Sequence, residues 1–265
     1  MAFGGYALTS PTWSPTQYLK FEDERTRPAR DLIAAVPTTM VDHASDLGCG
    51  PGNSTELVLE RYPTASVVGV DNSAKMLEKA HQRLPALQFE NADVETWVAA
   101  VPQDLIFANA VLQWLPDHGA LFPRLVGMLA PGGSLAIQMP DNLDEPSHSS
   151  MREIASDARW RELMGAASGS RTEIMTAGDY YRMLKPSCQR VDVWRTTYHH
   201  PLASPRAVVE WFEGSGLRPY LDALPTAQHT DFLGAYEEQI KSNYPTAQDG
   251  SVLLAFPRIF IVATR

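Results

Sequence analysis

Cysteines, basic residues and long apolar runs are scarce in this chain, and each shortage excludes a class of protein. The 265 residues include only two cysteines, too few for a disulfide framework or a cysteine-based zinc site. Lysine and arginine number 22 against 31 acidic residues, which gives a net charge of -9. General affinity for nucleic acid is therefore not expected. No apolar run reaches the roughly 18 residues that a membrane span needs.

The N-terminal sequence argues against a secreted protein, and the histidines argue against a metalloprotein. The first residues, MAFGGYALTSPTW, lack the basic segment and apolar core of a signal peptide, so we expect a cytoplasmic protein. The seven histidines show no metal-ligand spacing, and we expect no metal. We also expect a monomer. Apolar residues make up 44% of the chain, which is enough for a sizeable core.

Residues 40–140 predict an α/β domain with a parallel sheet. Short β-rich runs alternate there with stretches of helical periodicity, as in βαβ units. Ser73 is expected to cap a helix that ends near Arg83. The predicted strands are His43–Leu47, Ser66–Asp71, Leu87–Asp93, Asp104–Ala110 and Ser134–Met139, and two further helices are predicted at Asn53–Tyr62 and Leu121–Leu129.

The alternation changes after residue 140. Strands are still expected at Arg190–Tyr198 and Phe256–Thr264, but largely helical segments lie before and between them. We expect these segments to cover the carboxyl ends of the strands as a cap within a single domain spanning 1–265. The predicted core comprises about 36–140, 178–200 and 252–265, and the predicted cap comprises 11–35, 141–177 and 201–250.

A glycine-rich loop, SDLGCGPGNST at residues 45–55, follows the first predicted strand. A dinucleotide-binding loop reads G-x-G-x-x-G and holds a pyrophosphate at a helix N-terminus. Here the spacing is G-x-G-x-G, and Asp46 precedes the loop, where a negative charge opposes phosphate binding. The pattern argues against an NAD-dependent oxidoreductase, although a glycine-rich turn alone is weak evidence for any ligand.

Acidic residues end three successive strands or lead out of them, and together they favour S-adenosylmethionine as the cofactor. Asp71 is placed to accept hydrogen bonds from two ribose hydroxyls. Asp93 is placed to accept one from the adenine amino group, and Asp46 suits the ammonium group. Each acid taken alone is more often a helix cap or a solvated residue, so the prediction rests on the three in register with the glycine loop.

Five segments resemble, in order, the motifs of the Rossmann-like (class I) S-adenosylmethionine-dependent methyltransferases: DLGCGPG, VGVDNS, NADVETW, DLIFANAVLQWL and LAPGG. Others resemble the trans-aconitate methyltransferases: WSPTQYLKFEDERTRPAR, FANAVLQWLPDH, QMPDN, VWRTTYHH and LLAFPRIFIVATR. The resemblance implies a seven-stranded, mostly parallel sheet with helices on both faces and an antiparallel last strand. It also implies methyl transfer from S-adenosylmethionine to a carboxylate of trans-aconitate, which gives a monomethyl ester and S-adenosylhomocysteine.

The family motifs imply where the cofactor binds. They place its methionine end at Gly48, Gly50 and Asn53, its ribose at Asp71 and its adenine at Asp93, with the sulfonium near the end of the fourth strand. The predicted cofactor-binding set is Asp46, Gly48, Cys49, Gly50, Asn53, Asp71, Asn72, Met76, Ala92, Asp93, Val94, Asn109, Ala110 and Trp114.

A carboxylate acceptor sets the requirements for the substrate site. Because a carboxylic acid with a pKa of about 4 is already ionised at neutral pH, no general base is expected. Arginine is the favoured ligand, because its planar fork binds a carboxylate through two hydrogen bonds. The predicted substrate-binding set is Trp13, Tyr18, Arg25, Arg27, Gln113, Arg195, Tyr198 and His199.

Three alternatives remain open at this point. The enzyme could methylate another small acid, a phenol or an amine. It could be an NAD-dependent oxidoreductase, against which the loop spacing speaks. It could also be a regulatory module that binds the cofactor without turnover. An arginine on a helix is, moreover, usually a solvated or stem-packed side chain.

Overall fold

The computed structural model describes residues 22–164 and 173–265, and its centre is a seven-stranded sheet. The strand order is β3-β2-β1-β4-β5-β7-β6; the first five strands in that order pair in parallel, and β7 pairs antiparallel to β5. The strands are β1 (His43–Leu47), β2 (Ser66–Asp71), β3 (Gln88–Asn91), β4 (Gln103–Asn109), β5 (Leu129–Pro140), β6 (Arg190–Leu202) and β7 (Val252–Thr264). The fold class predicted from the sequence is confirmed.

Helices precede, connect and follow these strands. Within the described residues, short 3-10 helices lie at Leu112–Trp114, Lys185–Ser187 and Thr226–Gln228. The α-helices are α1 (Glu22–Ala35), α2 (Asn53–Arg61), α3 (Ala74–Arg83), α4 (His118–Gly127), α5 (Pro146–Ala155), α6 (Arg161–Met164), α7 (Ala177–Leu184), α8 (Pro205–Glu213), α9 (Arg218–Ala223) and α10 (His229–Asn243).

Apolar clusters cover both faces of the central sheet, which explains the buried apolar side chains on both faces of strands such as β4. On one face, here called the α1 side, Leu32 of α1 packs in one cluster with Phe107 of β4 and Phe260 of β7. On the other, the α4 side, Phe122 of α4 packs in a second cluster with Ile137 of β5. Since side chains alternate along a strand, these clusters show which face each strand residue points to.

Local hydrogen bonds explain where the structure departs from the predicted element bounds. Helix α4 starts at His118, ahead of the predicted Leu121, because the Asp117 carboxylate accepts from Ala120 N–H at 3.0 Å. Ser73 occupies the N-cap position of α3, as predicted, but its side chain makes no capping bond. Instead its N–H donates to Asp71 Oδ1 at 2.8 Å.

The chain divides into two compact units. Within the described residues, the larger unit contains 23–143, 173–198 and 255–265, and the smaller one contains 144–164 and 199–254. In the smaller unit, Tyr236 of α10 donates to the Ser147 carbonyl at 2.9 Å, and the Ser147 N–H donates to the Tyr244 hydroxyl at 3.2 Å. No helix in the described part of the chain is long and apolar enough to cross a membrane.

Candidate cofactor and substrate site

The glycine loop joins β1 to α2 through three left-handed residues. Gly48, Gly50 and Gly52 have φ angles of +67°, +54° and +91°, which residues with a Cβ adopt only at a cost. Gly48 N–H and Cys49 N–H both donate to the Val70 carbonyl, at 2.7 and 3.0 Å. These bonds hold the loop across the carboxyl end of β2. None of the described residues lies within 4 Å of the position that a Gly50 Cβ would occupy, so they leave the loop open there.

Asp46 lies beneath this loop and is fully buried. Its Oδ2 accepts from the hydroxyls of Ser54 and Thr55, both at 2.7 Å, and these bonds fix the first turn of α2. Its Oδ1 has no hydrogen-bond partner among the described residues. Burial raises the pKa of Asp46 to about 7, because a carboxylate loses its hydration there. A cationic group bound nearby would favour the ionised form.

This raised pKa predicts a pH dependence of stability. An unfolded aspartate ionises near pH 4 and the folded one near 7, so Asp46 stabilises the folded protein below pH 4. That contribution is lost as pH rises from 4 to 7, by on the order of 4 kcal/mol. We expect the Asp46→Asn variant to lack this loss. Urea unfolding of both proteins between pH 4 and 8 measures it, and equal pH slopes would contradict the assignment.

Asp71, at the end of β2, is bound to the loop. Its Oδ2 accepts from Gly50 N–H at 2.9 Å and its Oδ1 from Ser73 N–H at 2.8 Å. Burial raises its pKa. The carboxylate is thus held beside the open part of the loop, with lone pairs left over for a ligand. Asn72 is exposed, and the Met76 side chain is buried.

Asp93 follows β3 and is exposed. Its Oδ1 accepts from Glu95 N–H at 2.9 Å, and its carbonyl accepts from Trp97 N–H at 2.8 Å. The first bond is the local turn role that an aspartate plays without any ligand. Ala92 is half-buried beside it, and Val94 is buried in the α4-side cluster.

The end of β4 carries strained and unsatisfied groups. Ala110 has a φ of +56° and is the only described residue other than glycine with a positive φ, a conformation that concentrates at functional sites. Gln113 Nε2 donates to the Ala110 carbonyl at 2.7 Å. The buried Gln113 Oε1 and Asn109 Oδ1 have no hydrogen-bond partner among the described residues. Trp114, next in the chain, is half-buried.

Sequence reasoning missed a buried hydrogen-bond chain that supports this segment. Because a carbonyl only accepts, His118 Nε2 donates to the Leu112 carbonyl at 2.8 Å. His118 Nδ1 therefore accepts from the Tyr180 hydroxyl at 2.7 Å, and that hydroxyl accepts from Met175 N–H at 3.3 Å. Burial lowers the pKa of His118, which favours the neutral ring. His118 and Tyr180 are 62 residues apart, and no local pattern links them.

Two of the predicted substrate ligands meet on the α1 side. The Arg27 guanidinium lies over the Tyr198 ring, 5.2 Å from its centroid. The Tyr198 hydroxyl donates to Asp31 Oδ2 at 2.5 Å, and burial raises its pKa. Trp13 and Tyr18 lie outside the described residues, as does the side chain of Arg25.

The Arg195 side chain points to the α4 side of the sheet. Its neighbour Trp194 stacks on Phe260, with centroids 4.9 Å apart, whereas Val193 packs on the α4 side. Arg195 therefore also lies on the α4 side, where it forms an ion pair with Asp141 and its side chain is 62% exposed. His199 is exposed and belongs to the smaller unit. The structure thus places Arg195 apart from Arg27 and Tyr198.

Two buried polar residues absent from the predicted set lie on the α1 side. Arg258 of β7 is only 4% exposed, and its Nη1 donates to Gln138 Oε1 of β5 at 3.1 Å. Gln138 is in register with Asn109.

Metal ligation finds no support in the described residues, since no group of three or more histidine, cysteine or acidic side chains is arranged for it.

This strand order, with a glycine loop after β1 and an aspartate ending β2, is that of a class I methyltransferase. Residues 44–133 match the methyltransferase domain family. Two solved structures share the fold: the YcgJ protein from Bacillus subtilis (TM-score 0.58, 12% identity, covering 90% of this chain and 98% of that one) and a putative methyltransferase from Bacillus halodurans (TM-score 0.55, 12% identity, 91% and 98%).

Curated relatives identify a family within the class I methyltransferases. The trans-aconitate 2-methyltransferase of Paracidovorax citrulli is 54% identical over 96% of this chain and 98% of its own length. The protein of the same name from Rhizobium meliloti is 53% identical over 96% and 99%. The chain belongs to the trans-aconitate 2-methyltransferase family, and the resemblance drawn from the sequence is confirmed.

Proposed function

We propose that this protein transfers a methyl group from S-adenosylmethionine to a carboxylate oxygen of trans-aconitate, giving a monomethyl ester and S-adenosylhomocysteine. The observation that carries the proposal is the 54% identity to an enzyme of that name over 96% of the chain. A likeness confined to the glycine loop would indicate only the cofactor. This one also includes the segments after residue 140, which contribute to acceptor choice.

The residues at the strand ends fit the cofactor. It supplies an electrophilic methyl group on a sulfonium, together with an ammonium group, a ribose and an adenine. The open backbone at Gly50 admits a ligand. The Asp71 carboxylate beside it is placed to accept hydrogen bonds from the ribose hydroxyls. The orphaned oxygens of Asp46 and Asn109 favour positive charge over phosphate. Asp93 is proposed to accept from the adenine amino group.

The chain's main task in this reaction is positioning. The acceptor carboxylate is ionised at neutral pH, so no residue has to remove a proton, and we propose that there is no general base. Bringing the acceptor oxygen in line with the methyl carbon, to about 3 Å, and excluding water supply the rate enhancement. Arg27 and Tyr198 are proposed to bind the polyacid, as are Trp13, Tyr18, Arg25, Gln113, Arg195 and His199.

The remaining assignments are also proposals. The segments 11–35, 141–177 and 201–250 are proposed to form a cap on the core of a single domain. A monomer is proposed because the chain supplies every proposed ligand itself. A cytoplasmic location is supported by the two cysteines, both buried and free, and the net charge of -9 argues against nucleic acid as a partner.

An acid panel tests the proposal. We expect labelled methyl transfer to trans-aconitate to exceed that to cis-aconitate, a saturated tricarboxylate or a phenol by at least about tenfold in kcat/KM, because fixed donors discriminate geometry. Without a general base, kcat at saturation should stay level from pH 6 to 9. Preference for the phenol, or a rise in kcat through an enzyme pKa, would overturn the proposal. Binding of S-adenosylhomocysteine without any turnover would indicate a regulatory module.

A further inference from the structure

Arg258 is a buried cation held at the carboxyl end of β5. It lies opposite Pro140 in the β5–β7 register, and its guanidinium lies over the Phe256 ring, 4.6 Å from the centroid. A guanidinium keeps its charge in any protein environment. Burying a guanidinium has a large desolvation cost, which is offset where hydrogen-bond acceptors or an anion lie beside it.

The contact with Gln138 fixes the orientation of that amide. A guanidinium only donates hydrogen bonds, so the atom of Gln138 that faces it must be the carbonyl oxygen. The amide nitrogen therefore points elsewhere. Gln138 is fully buried, and its Nε2 has no hydrogen-bond partner among the described residues. Two N–H donors are left for a ligand, and a buried donor without a partner is costly.

Strand register places these donors beside the end of β4. Gln138 is in register with Asn109, and the backbone carbonyl of Gln138 accepts from Ala110 N–H at 2.9 Å. On β4, Phe107 packs on the α1 side, and on β7 Phe260 does so. By alternation Asn109, Gln138 and Arg258 all face that side. Burial raises the pKa of Tyr198, and the charges of Arg258 and Arg27 both offset part of that rise, so the two charges act on the same place.

We propose that Arg258 and Gln138 bind one carboxylate of the polyacid substrate and so determine which acids the enzyme accepts. Both groups present only donors to the ligand, a combination that suits an anion and disfavours the cofactor's ammonium group. The guanidinium supplies the charge and the amide a second, angled donor, which together orient the carboxylate. The inference rests on the proposed function, since it assigns residues to that same reaction.

Gln138→Glu is the sharpest test, because the new carboxylate pairs with Arg258 and keeps the fold while removing both donors and neutralising the charge. We expect KM for trans-aconitate to rise by roughly 30-fold, with the Kd of S-adenosylhomocysteine changed less than about twofold. Arg258→Lys keeps the charge but not the fork and should raise KM by about tenfold. Arg190→Lys, exposed and paired with Asp192, is the control and should change neither.

A diacid series adds a readout that a purely structural role would not affect. With unsaturated dicarboxylic acids that each lack one carboxylate of trans-aconitate, the Gln138→Glu penalty should disappear for the acid that lacks the contacted group. A KM for trans-aconitate unchanged by Gln138→Glu would overturn the inference. So would a weakened Kd for S-adenosylhomocysteine, which would assign the pair to the cofactor's own carboxylate.

Wild-type turnover separates this inference from the proposed function. If the wild type methylates another acid of the panel instead, the proposed substrate is wrong, and the same KM comparison is made with that acid. If it methylates trans-aconitate and the variants match it, the proposed function stands and the Arg258–Gln138 inference fails.

Discussion

Gly48→Ala is expected to abolish cofactor binding and to destabilise the protein by more than about 3 kcal/mol. A Cβ at this position would lie 2.3 Å from Val111 Cγ2 and 2.5 Å from Val111 Cβ. The φ of +67° adds backbone strain. Relief requires the loop to move off the Val70 carbonyl, which accepts from Gly48 N–H at 2.7 Å. The backbone that frames the proposed methionine end would move with it.

Gly50→Ala is the matched control for Gly48→Ala. It has a similar φ, +54°, but no atom of the described residues lies within 4 Å of its Cβ position. It should therefore lose only the conformational term, about 1 to 2 kcal/mol. If the bound cofactor approaches this backbone, Gly50→Ala should also weaken binding despite its milder effect on stability.

A second-site change separates the two causes of the Gly48→Ala defect. Val111→Ala removes the γ-methyl groups at 2.3 and 2.9 Å but keeps the Val111 Cβ at 2.5 Å, so the double variant should recover only part of the steric loss and none of the strain. Thermal unfolding and calorimetric titration with S-adenosylhomocysteine measure both quantities. Equal stability losses for the Gly48 and Gly50 variants, with no rescue, would show that the Val111 contact has no effect.

The fold was predictable because each of its signals is local. Apolar runs with β propensity, glycines after β1 and helical spacing between strands define βαβ units without knowledge of distant contacts. Asp46 and Asp71 were predictable for the same reason, since each comes directly at or before a strand end. The strand Leu87–Asp93 was overextended, because Asp93 already belongs to the turn that its own carboxylate caps.

The proposed substrate ligands were harder to predict from the sequence than the cofactor site. Gln138 and Arg258 each stand alone in an apolar strand, and nothing in either run shows that the two meet across 120 residues. Arg195 and Tyr198 are a different case. Their spacing of three puts them on opposite faces of a strand, so strict alternation along this segment is enough to separate the two side chains.

Asp71→Ala is expected to weaken S-adenosylhomocysteine binding by at least about 100-fold, because two charge-assisted hydrogen bonds to the ribose are lost at roughly 1.5 to 3 kcal/mol each. Asp71→Asn keeps one acceptor but not the charge, and its affinity should fall between those of the alanine variant and the wild type. The Gly50 and Ser73 N–H groups also lose their acceptor in the alanine variant. Part of its effect is therefore local loosening of the loop.

Asp104→Ala allows the ribose contribution to be isolated. Asp104 also accepts two backbone N–H bonds, from Asp42 and His43 at 2.9 and 3.0 Å, but at the amino end of the sheet. Its loss should cost comparable stability and leave binding unchanged. Calorimetric titration of both variants with S-adenosylhomocysteine and with NADH decides the matter. Tight S-adenosylhomocysteine binding by Asp71→Ala would show that Asp71 does not contact the ribose. Heat from NADH with the wild type would mean that this crevice holds a different nucleotide.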